Sequence, residues 1–288
     1  MMNSVTEMLP TVDASESDFS RIGEVLNLKQ ADIDRIVARQ EERKVLFGQA
    51  AKELGLVTEA DLQRVLSEQF GYSYVHDNNN TLSKELIAAH QPFSQAVENI
   101  RSLRGQLLIR WFNGQHKALV ATSSSTEDGA SVLLANLAIV FSQLNKKTLL
   151  IDANLRQPNQ HKLFGVETKL GLANILANRQ GRYELTPQKS LPNLTILTAG
   201  TEAPNPQELL NRDGLIELLS DLEKMYDIIL IDTSPSNLGM DYLTVVAKVK
   251  AALIVVRKDS TRIDDLAQIK SQIEIANAQI VGSVVQEF

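Results

Sequence analysis

The sequence predicts an α/β fold: an open, doubly wound domain on a mainly parallel sheet, preceded by a small all-helical domain. Three observations predict it. From about residue 93, six β-rich apolar runs alternate with amphipathic helical stretches. Continuous apolar strands separated by helices imply a parallel sheet covered on both faces. The first run opens into a loop of small residues ending in a Gly-x-Ser turn, and two later runs each end in Asp. That places polar chemistry at the carboxyl ends of the strands, where such sheets bind ligands. Near the N-terminus the pattern D-φ-x-R-φ-φ-x-x-Q, with φ apolar, occurs twice at an offset of 29 residues. Each copy lines up one helical face.

Composition narrows the function classes. The 288 residues carry 29 Lys+Arg against 35 Asp+Glu, a formal charge of −6, with 43% hydrophobic and 22% charged residues. This is globular composition, and its acidity argues against non-specific nucleic-acid binding, which needs concentrated positive charge. Cysteine is absent, which removes disulfides, thiol catalysis and Cys-ligated zinc, and fits a reducing cytoplasm. The four histidines, His76, His90, His116 and His161, are scattered, against a His-based metal cage. The longest apolar stretches, Val132–Phe141 (interrupted by Asn136) and Ala251–Val256, fall short of the roughly 18–20 residues a membrane helix needs. The first residues have no basic segment leading into an apolar core. We therefore expect a cytoplasmic protein without direct membrane insertion, in contact with a membrane only through a partner.

Along the chain, residues 1–18 are polar and aperiodic and are expected as a mobile tail. Residues 19–76 hold the helical repeat, Asp32–Gln40 and Asp61–Gln69, with Ile22-Gly23 and Phe47-Gly48 upstream of the copies. Thr58 and Asp61 have the spacing of a capping box, with Asp in place of Glu or Gln. Residues 77–92, Asn-rich at the start and containing a proline, are expected as a linker, and 93–288 form the α/β domain. Its expected strands are Ala118–Ala121, Thr148–Ile151, Leu194–Leu197, Asp227–Ile231, Ala251–Val256 and Ile280–Val285. Helices are expected over Ser131–Leu144, Pro206–Met225 and Arg262–Ala276.

Four segments carry chemistry. Ser124–Ser131 occupies the place of a phosphate loop between strand and helix, where backbone N–H groups and a helix N-terminus hold an anion. A full loop reads G-x-x-x-x-G-K-[ST]. Here Ser124 and Ala130 replace Gly and Lys, whereas Gly129 and Ser131 remain, so an ordinary strand–helix turn stays open as the alternative. Asp152 and Asp232 end apolar strands, as metal-binding carboxylates do, though either could instead cap the loop that follows. Glu98, Arg101 and Arg104 share one helical face; taken alone, they are better explained as a solvated face with an intrahelical ion pair.

Taken together, these pieces resemble a known family. Val97–Phe288 resembles the bacterial tyrosine autokinases of polysaccharide export, the BY-kinases, related to the MinD/ParA P-loop ATPases. The matching pieces are E-x-x-R-x-x-R at 98–104, the loop at 124–131, A-N-L-A at 135–138 and L-L-I-D-A-x-L-R at 149–156. Others are T-A-G with N-P-x-E-L-L at 198–210, Y-D-I-I-L-I-D-T at 226–233, and the closing V-G-S-V-V-Q-E-F. The N-terminal repeat resembles the helical front domain of type II secretion and pilus ATPases, some of which bind cyclic di-GMP. Leu46–Gln69 has that motif's length with Gly48, Gly55 and Gln69 but Leu46 for Arg, and Arg21–Gln40 keeps Arg21 and Gly23 but is four residues short. A helical module fused to such a kinase domain is the arrangement of the chain-length-determinant tyrosine kinases of exopolysaccharide synthesis.

The resemblance implies a P-loop NTPase-like fold and Mg-ATP as cofactor. Thr126, Glu127, Asp128, Gly129, Ala130 and Ser131 would bind nucleotide, and Ser131, Asp152 and Asp232 would handle Mg. Asp152, Asn154 and Asp232 stand at the catalytic positions, and Glu98, Arg101 and Arg104 at the subunit contacts of a homo-oligomeric ring. The implied partner is a membrane chain-length-determinant protein (a polysaccharide co-polymerase) that would recruit the chain to the inner face of a bacterial membrane.

Two departures fall on the chemistry: Ala130 stands for the loop Lys and Asn154 for the second Asp. A lysine charge ~4 Å from a phosphate interacts by about 4 kcal/mol at an effective dielectric of about 20, an upper bound of roughly a thousandfold in affinity. Asn154 cannot take a proton as Asp can, and nothing in the sequence places Lys117 or Lys146 in the loop. The family's C-terminal tyrosine cluster is also missing, since no tyrosine follows Tyr242. The expectation is a BY-kinase-like protein of exopolysaccharide export and chain-length control with a degenerate site, a pseudokinase or weak kinase working through assembly. Two alternatives stand beside it: an active ATPase or tyrosine kinase with a rearranged loop, and a scaffold whose N-terminal module binds a partner or a cyclic dinucleotide.

Overall fold

The computed structural model describes residues 26, 28–58, 61–62, 81–177 and 184–287. The expected tail, the first repeat's Arg21, Ile22 and Gly23, the second repeat beyond Leu62, and linker residues 77–80 lie outside the described residues. The chain divides into two units.

In the smaller unit, α1 (Gln30–Arg43) and α2 (Phe47–Glu53) are separated by Lys44 in the left-handed conformation, φ 53°. The apolar positions of the first repeat explain the packing: Ile33 and Ile36 meet Phe47, Ala50, Ala51, Val57 and Leu62 in one core. The Thr58 capping box forms as the spacing predicts. Thr58 N donates to Asp61 Oδ2 at 2.9 Å and Asp61 N to Thr58 Oγ1 at 3.2 Å.

The larger unit is the α/β domain. Its strands are β1 (Ala118–Ser123), β2 (Thr148–Asp152), β3 (Thr186–Gln188), β4 (Leu191–Leu197), β5 (Ile228–Asp232), β6 (Ala251–Arg257) and β7 (Gln279–Gln286). They lie in the order β3-β4-β2-β5-β1-β6-β7. Every pairing is parallel except β3 with β4. All six expected strands are present. The edge strand β3 escaped the sequence reading because it has three residues with Pro187 at its centre, and proline is confined to sheet edges by its missing donor.

The helices of this unit are α3 (Ile87–His90), α4 (Gln95–Arg110), α5 (Ala130–Ser142), α6 (Gln160–Leu163), α7 (Leu172–Leu176), α8 (Pro206–Asn211), α9 (Gly214–Met225), α10 (Asp241–Val249) and α11 (Ile263–Ile275). The stretch expected as one helix over 206–225 is two. Arg212 leaves helical geometry, and the carbonyls freed at Asn211 and Arg212 accept Lys248 Nζ at 3.0 and 2.7 Å, a cationic cap.

Residues 81–90, inside the stretch expected as a linker, pack as part of the α/β unit, while 91–94 group with the smaller unit. Leu82, Leu86, Ala88 and Ala89 are buried. The buried Asn136 of α5 clamps this segment: its Oδ1 accepts Ala88 N at 2.9 Å, and its Nδ2 donates to Glu85 O and Val132 O, both at 2.9 Å. Polar composition signalled a linker, but Leu82, Leu86, Ala88 and Ala89 supply a buried face and a distant Asn satisfies the backbone.

Replacing Asn136 by Ala leaves buried backbone groups without partners. We expect Asn136→Ala to lower stability by about 1–3 kcal/mol in urea unfolding, with faster amide exchange over residues 85–88. Unchanged stability would mean that water replaces the clamp.

Candidate functional site

The site forms where β1, β2 and β5 end. β1 delivers Ser124 and Ser125 into a short 3-10 turn, Thr126–Asp128. Gly129 follows at φ 74°, a left-handed conformation that suits a residue without Cβ, and its carbonyl begins α5. Ala130 is the first residue of α5 and is 5% exposed, so a methyl group fills the place of the expected lysine. Lys117 Nζ is used elsewhere, donating to Glu223 O at 2.6 Å and Tyr226 O at 3.1 Å at the end of α9.

β2 and β5 are neighbours in parallel register, and that register sets Asp152 directly beside Asp232. Both are fully buried. Burial, and then repulsion from Asp232, push the Asp152 carboxyl well above its ordinary range, against the lowering effect of backbone N–H groups. Burial raises Asp232 to about 6, opposed by the Gln160 and Ser131 side chains. Asp152 Oδ2 accepts Asn159 N at 3.1 Å and Gln160 N at 3.0 Å, and its Oδ1 accepts Asn154 N at 3.1 Å. Gln160 Nε2 donates to Asp232 Oδ2 at 2.7 Å and to Ser131 O at 3.1 Å.

The loops around the pair are tied to one another. Asn237 N donates to Ser124 O at 3.1 Å and Thr126 Oγ1 to Gln157 Oε1 at 3.2 Å. Arg156 forms a two-pronged ion pair with the buried Asp241, through Nε to Oδ2 and through Nη2 to Oδ1 at 3.1 Å. Asn154 is buried and its Oδ1 accepts Gln157 N at 3.0 Å, so this amide serves as a turn cap.

A divalent cation fits the carboxylate side of this arrangement. Asp232 Oδ1 is buried without a hydrogen-bond partner, a second carboxylate lies beside it, and the donors are oxygens suited to Mg. Among the described residues no group of three or more His, Cys, Asp or Glu could hold a metal by itself. Water and phosphate oxygens would have to complete the shell. On the loop side, Ala130 offers no charge to a phosphate.

Sequence reasoning placed Thr126–Ser131, Asp152, Asn154 and Asp232 together, and the fold brings them together. Glu98, Arg101 and Arg104 lie on α4. Glu98 is exposed, but the Arg101 side chain is 11% exposed and pairs with Glu98 at 3.1 Å. Arg104 Nη1 donates to Val140 O at 2.5 Å in the last turn of α5, so this arginine caps a helix of its own domain. Gln160 was not anticipated; it reaches Asp232 from 72 positions away, and no local pattern signals it. Tyr242 is fully buried, with its hydroxyl on Gln272 and its pKa pushed up to about 12 by burial. It is not presented to another molecule.

Known proteins agree with this geometry. A profile described as an AAA domain matches residues 129–284. The tyrosine-protein kinase YwqD of Bacillus subtilis (strain 168) is 28% identical over 209 residues, across 73% of this chain and 88% of the relative. The kinase domain of the Escherichia coli tyrosine kinase ETK superposes with a TM-score of 0.68 at 28% identity, covering 74% of this chain and 82% of that one. The septum site-determining protein MinD of Pyrococcus horikoshii OT3, complexed with Mg-ADP, has a TM-score of 0.51 at 21% identity, covering 59% of this chain and 70% of that one, and shows the fold alone.

The carboxylate pair makes a pH prediction. Asp232 has a raised folded-state pKa, so the folded protein holds more protons than the unfolded chain between its ordinary value of 3.8 and about 6. Its contribution is therefore full below that window and is lost as pH rises through it. In melting curves taken with a chelator, the wild type should lose stability relative to Asp232→Asn across this window. At neutral pH, Mg²⁺ should raise the wild-type melting temperature and leave that of Asp232→Asn unchanged. Parallel pH curves for the two proteins would refute this account.

Proposed function

We propose, for a chain that belongs to the AAA-domain family and is related to the bacterial tyrosine kinases and MinD-type ATPases, that it is a BY-kinase-like subunit of exopolysaccharide biosynthesis or export. It would act in the cytoplasm with a membrane chain-length-determinant protein, through assembly more than through phosphoryl transfer. No helix among the described residues is long and apolar enough to cross a membrane, in keeping with recruitment by such a partner.

The observation that carries this reading is a site retained on one side and eroded on the other. Asp152, Asp232 and Ser131 remain as the residues that would hold Mg, while a buried methyl at Ala130 and a turn-capping amide at Asn154 replace the loop cation and the second carboxylate. Bound Mg would supply charge neutralisation on the phosphates. The residues present can orient the cation and offer backbone N–H groups. They provide no side-chain cation in the loop and no carboxylate at 154, so stabilisation of developing charge and activation of a hydroxyl are both weakened.

A second reading, an active enzyme with a rearranged loop, draws on the intact carboxylate pair. Calorimetric titration of Mg-ATP and Mg-ADP into the natural protein and Ala130→Lys separates the two. We expect little or no binding by the natural protein and binding gained by the variant, by up to roughly a thousandfold. Micromolar binding by the natural protein, with an activity that Asp152→Ala and Asp232→Ala abolish, would establish the second reading instead.

Assembly has its own test. Arg101 and Arg104 are engaged inside the domain, so reversing them would damage the fold as well as any contact. Glu98 is the exposed member of the motif. Glu98→Arg should lower the mass in solution, measured by light scattering, with little change in melting temperature. An unchanged oligomer would remove this helix from the interface.

A further inference from the structure

The loop at the end of β1 already contains an anion. Asp128 is 1% exposed, and its Oδ2 accepts Ser124 N at 3.0 Å, Ser125 N at 2.9 Å and Ser124 Oγ at 2.8 Å. Two consecutive amides and a hydroxyl converge on one carboxylate oxygen, the way a loop of this kind converges on a phosphate oxygen. The other oxygen, Oδ1, accepts Thr261 Oγ1 at 2.8 Å, and that hydroxyl accepts Arg257 N at 2.8 Å. The Asp128 carbonyl accepts Gln286 Nε2 at 2.8 Å. The carboxylate is thus held from two directions, by its own loop and by the turn after β6, and the backbone of the same residue is held by the end of β7.

We propose that Asp128 determines what this loop accepts: its carboxylate is the loop's own anion, and a phosphate enters the cradle only when Asp128 leaves it. The proposal rests on the reading of this loop as a degenerate nucleotide site and deepens it. Ala130 and Asp128 then act in the same direction. The first withholds attraction from a phosphate, and the second occupies its donors and repels it. Restoring the lysine alone would add attraction but leave the phosphate competing with Asp128 for those donors.

The competing account is local. Asp128 and Ser125 also make a capping box for the 3-10 turn, and a residue with that task alone affects stability and not ligand affinity. Titration of inorganic pyrophosphate, with a chelator present to exclude metal, separates the two accounts. The proteins compared are the full-length wild type, Asp128→Ala, Ala130→Lys and the double variant. We expect Asp128→Ala to bind pyrophosphate at least tenfold more tightly than wild type, and the double variant to exceed Ala130→Lys by a similar factor. Affinities equal within twofold in both comparisons would overturn the proposal and leave Asp128 as a turn cap. If melting shows that Asp128→Ala does not fold, Asp128→Asn decides. It keeps the shape and an acceptor but loses the charge, so a several-fold gain supports the proposal and no gain overturns it. Micromolar Mg-ADP binding by the wild type would overturn the degenerate-site reading separately, whatever the pyrophosphate ratio.

Discussion

The parallel register of β2 with β5 places two buried carboxylates side by side, and much of the surrounding structure answers that placement. Two such groups repel and lose hydration, so each needs local donors or a cation. The chain after β2 turns back and presents the amides of Asn154, Asn159 and Gln160 to Asp152. The Gln160 side chain then crosses to Asp232 and to the first turn of α5. One residue thereby ties the ends of two strands to the helix that follows the phosphate loop. A domain needing only a stable core would gain from replacing the pair with apolar residues. The pair stands, with one oxygen of Asp232 unpartnered, an arrangement that suits a cation.

The loop answers a complementary constraint. Converging backbone N–H groups require an acceptor, and burying them without one is unfavourable. Where a phosphate and a lysine are both available, the ligand serves. In this chain the loop has no lysine, and Asp128 accepts from its amides. The site then contains Asp128, Asp152 and Asp232 with no cation at Ala130. A phosphate entering this loop would meet like charge, so a divalent cation is the component that would make its entry favourable. The weakness expected of nucleotide binding is therefore a property of the whole charge arrangement, beyond the single missing lysine.

Most of the larger unit was legible in the sequence because parallel strands are continuous apolar runs and two of them end in Asp. The identities of Asp152, Asp232 and the loop followed from that pattern. What escaped has a common cause: it depends on contacts distant in sequence. Gln160 meets Asp232 across 72 positions and Thr261 meets Asp128 across 133. No local period encodes either. The break at Arg212 depends on Lys248 arriving from α10 to cap the freed carbonyls. Residues 81–90 read as linker because their polar groups were visible, whereas the Asn136 that satisfies them lies some fifty positions away.

The E-x-x-R-x-x-R helix shows how a motif read from spacing can also serve its own domain. Helical spacing placed Glu98, Arg101 and Arg104 on one face, and they lie there. Spacing does not say whether that face meets solvent or the domain's own α5. Arginine is suited to the second situation, because its stem covers apolar surface while its guanidinium reaches a carbonyl. Arg104 does this at Val140, in the last turn of a helix whose end would otherwise leave acceptors unpaired. The motif's presence in this chain is therefore explained in part by folding alone. It counts toward assembly only through what it leaves exposed, the Glu98 carboxylate and the polar residues flanking it on α4.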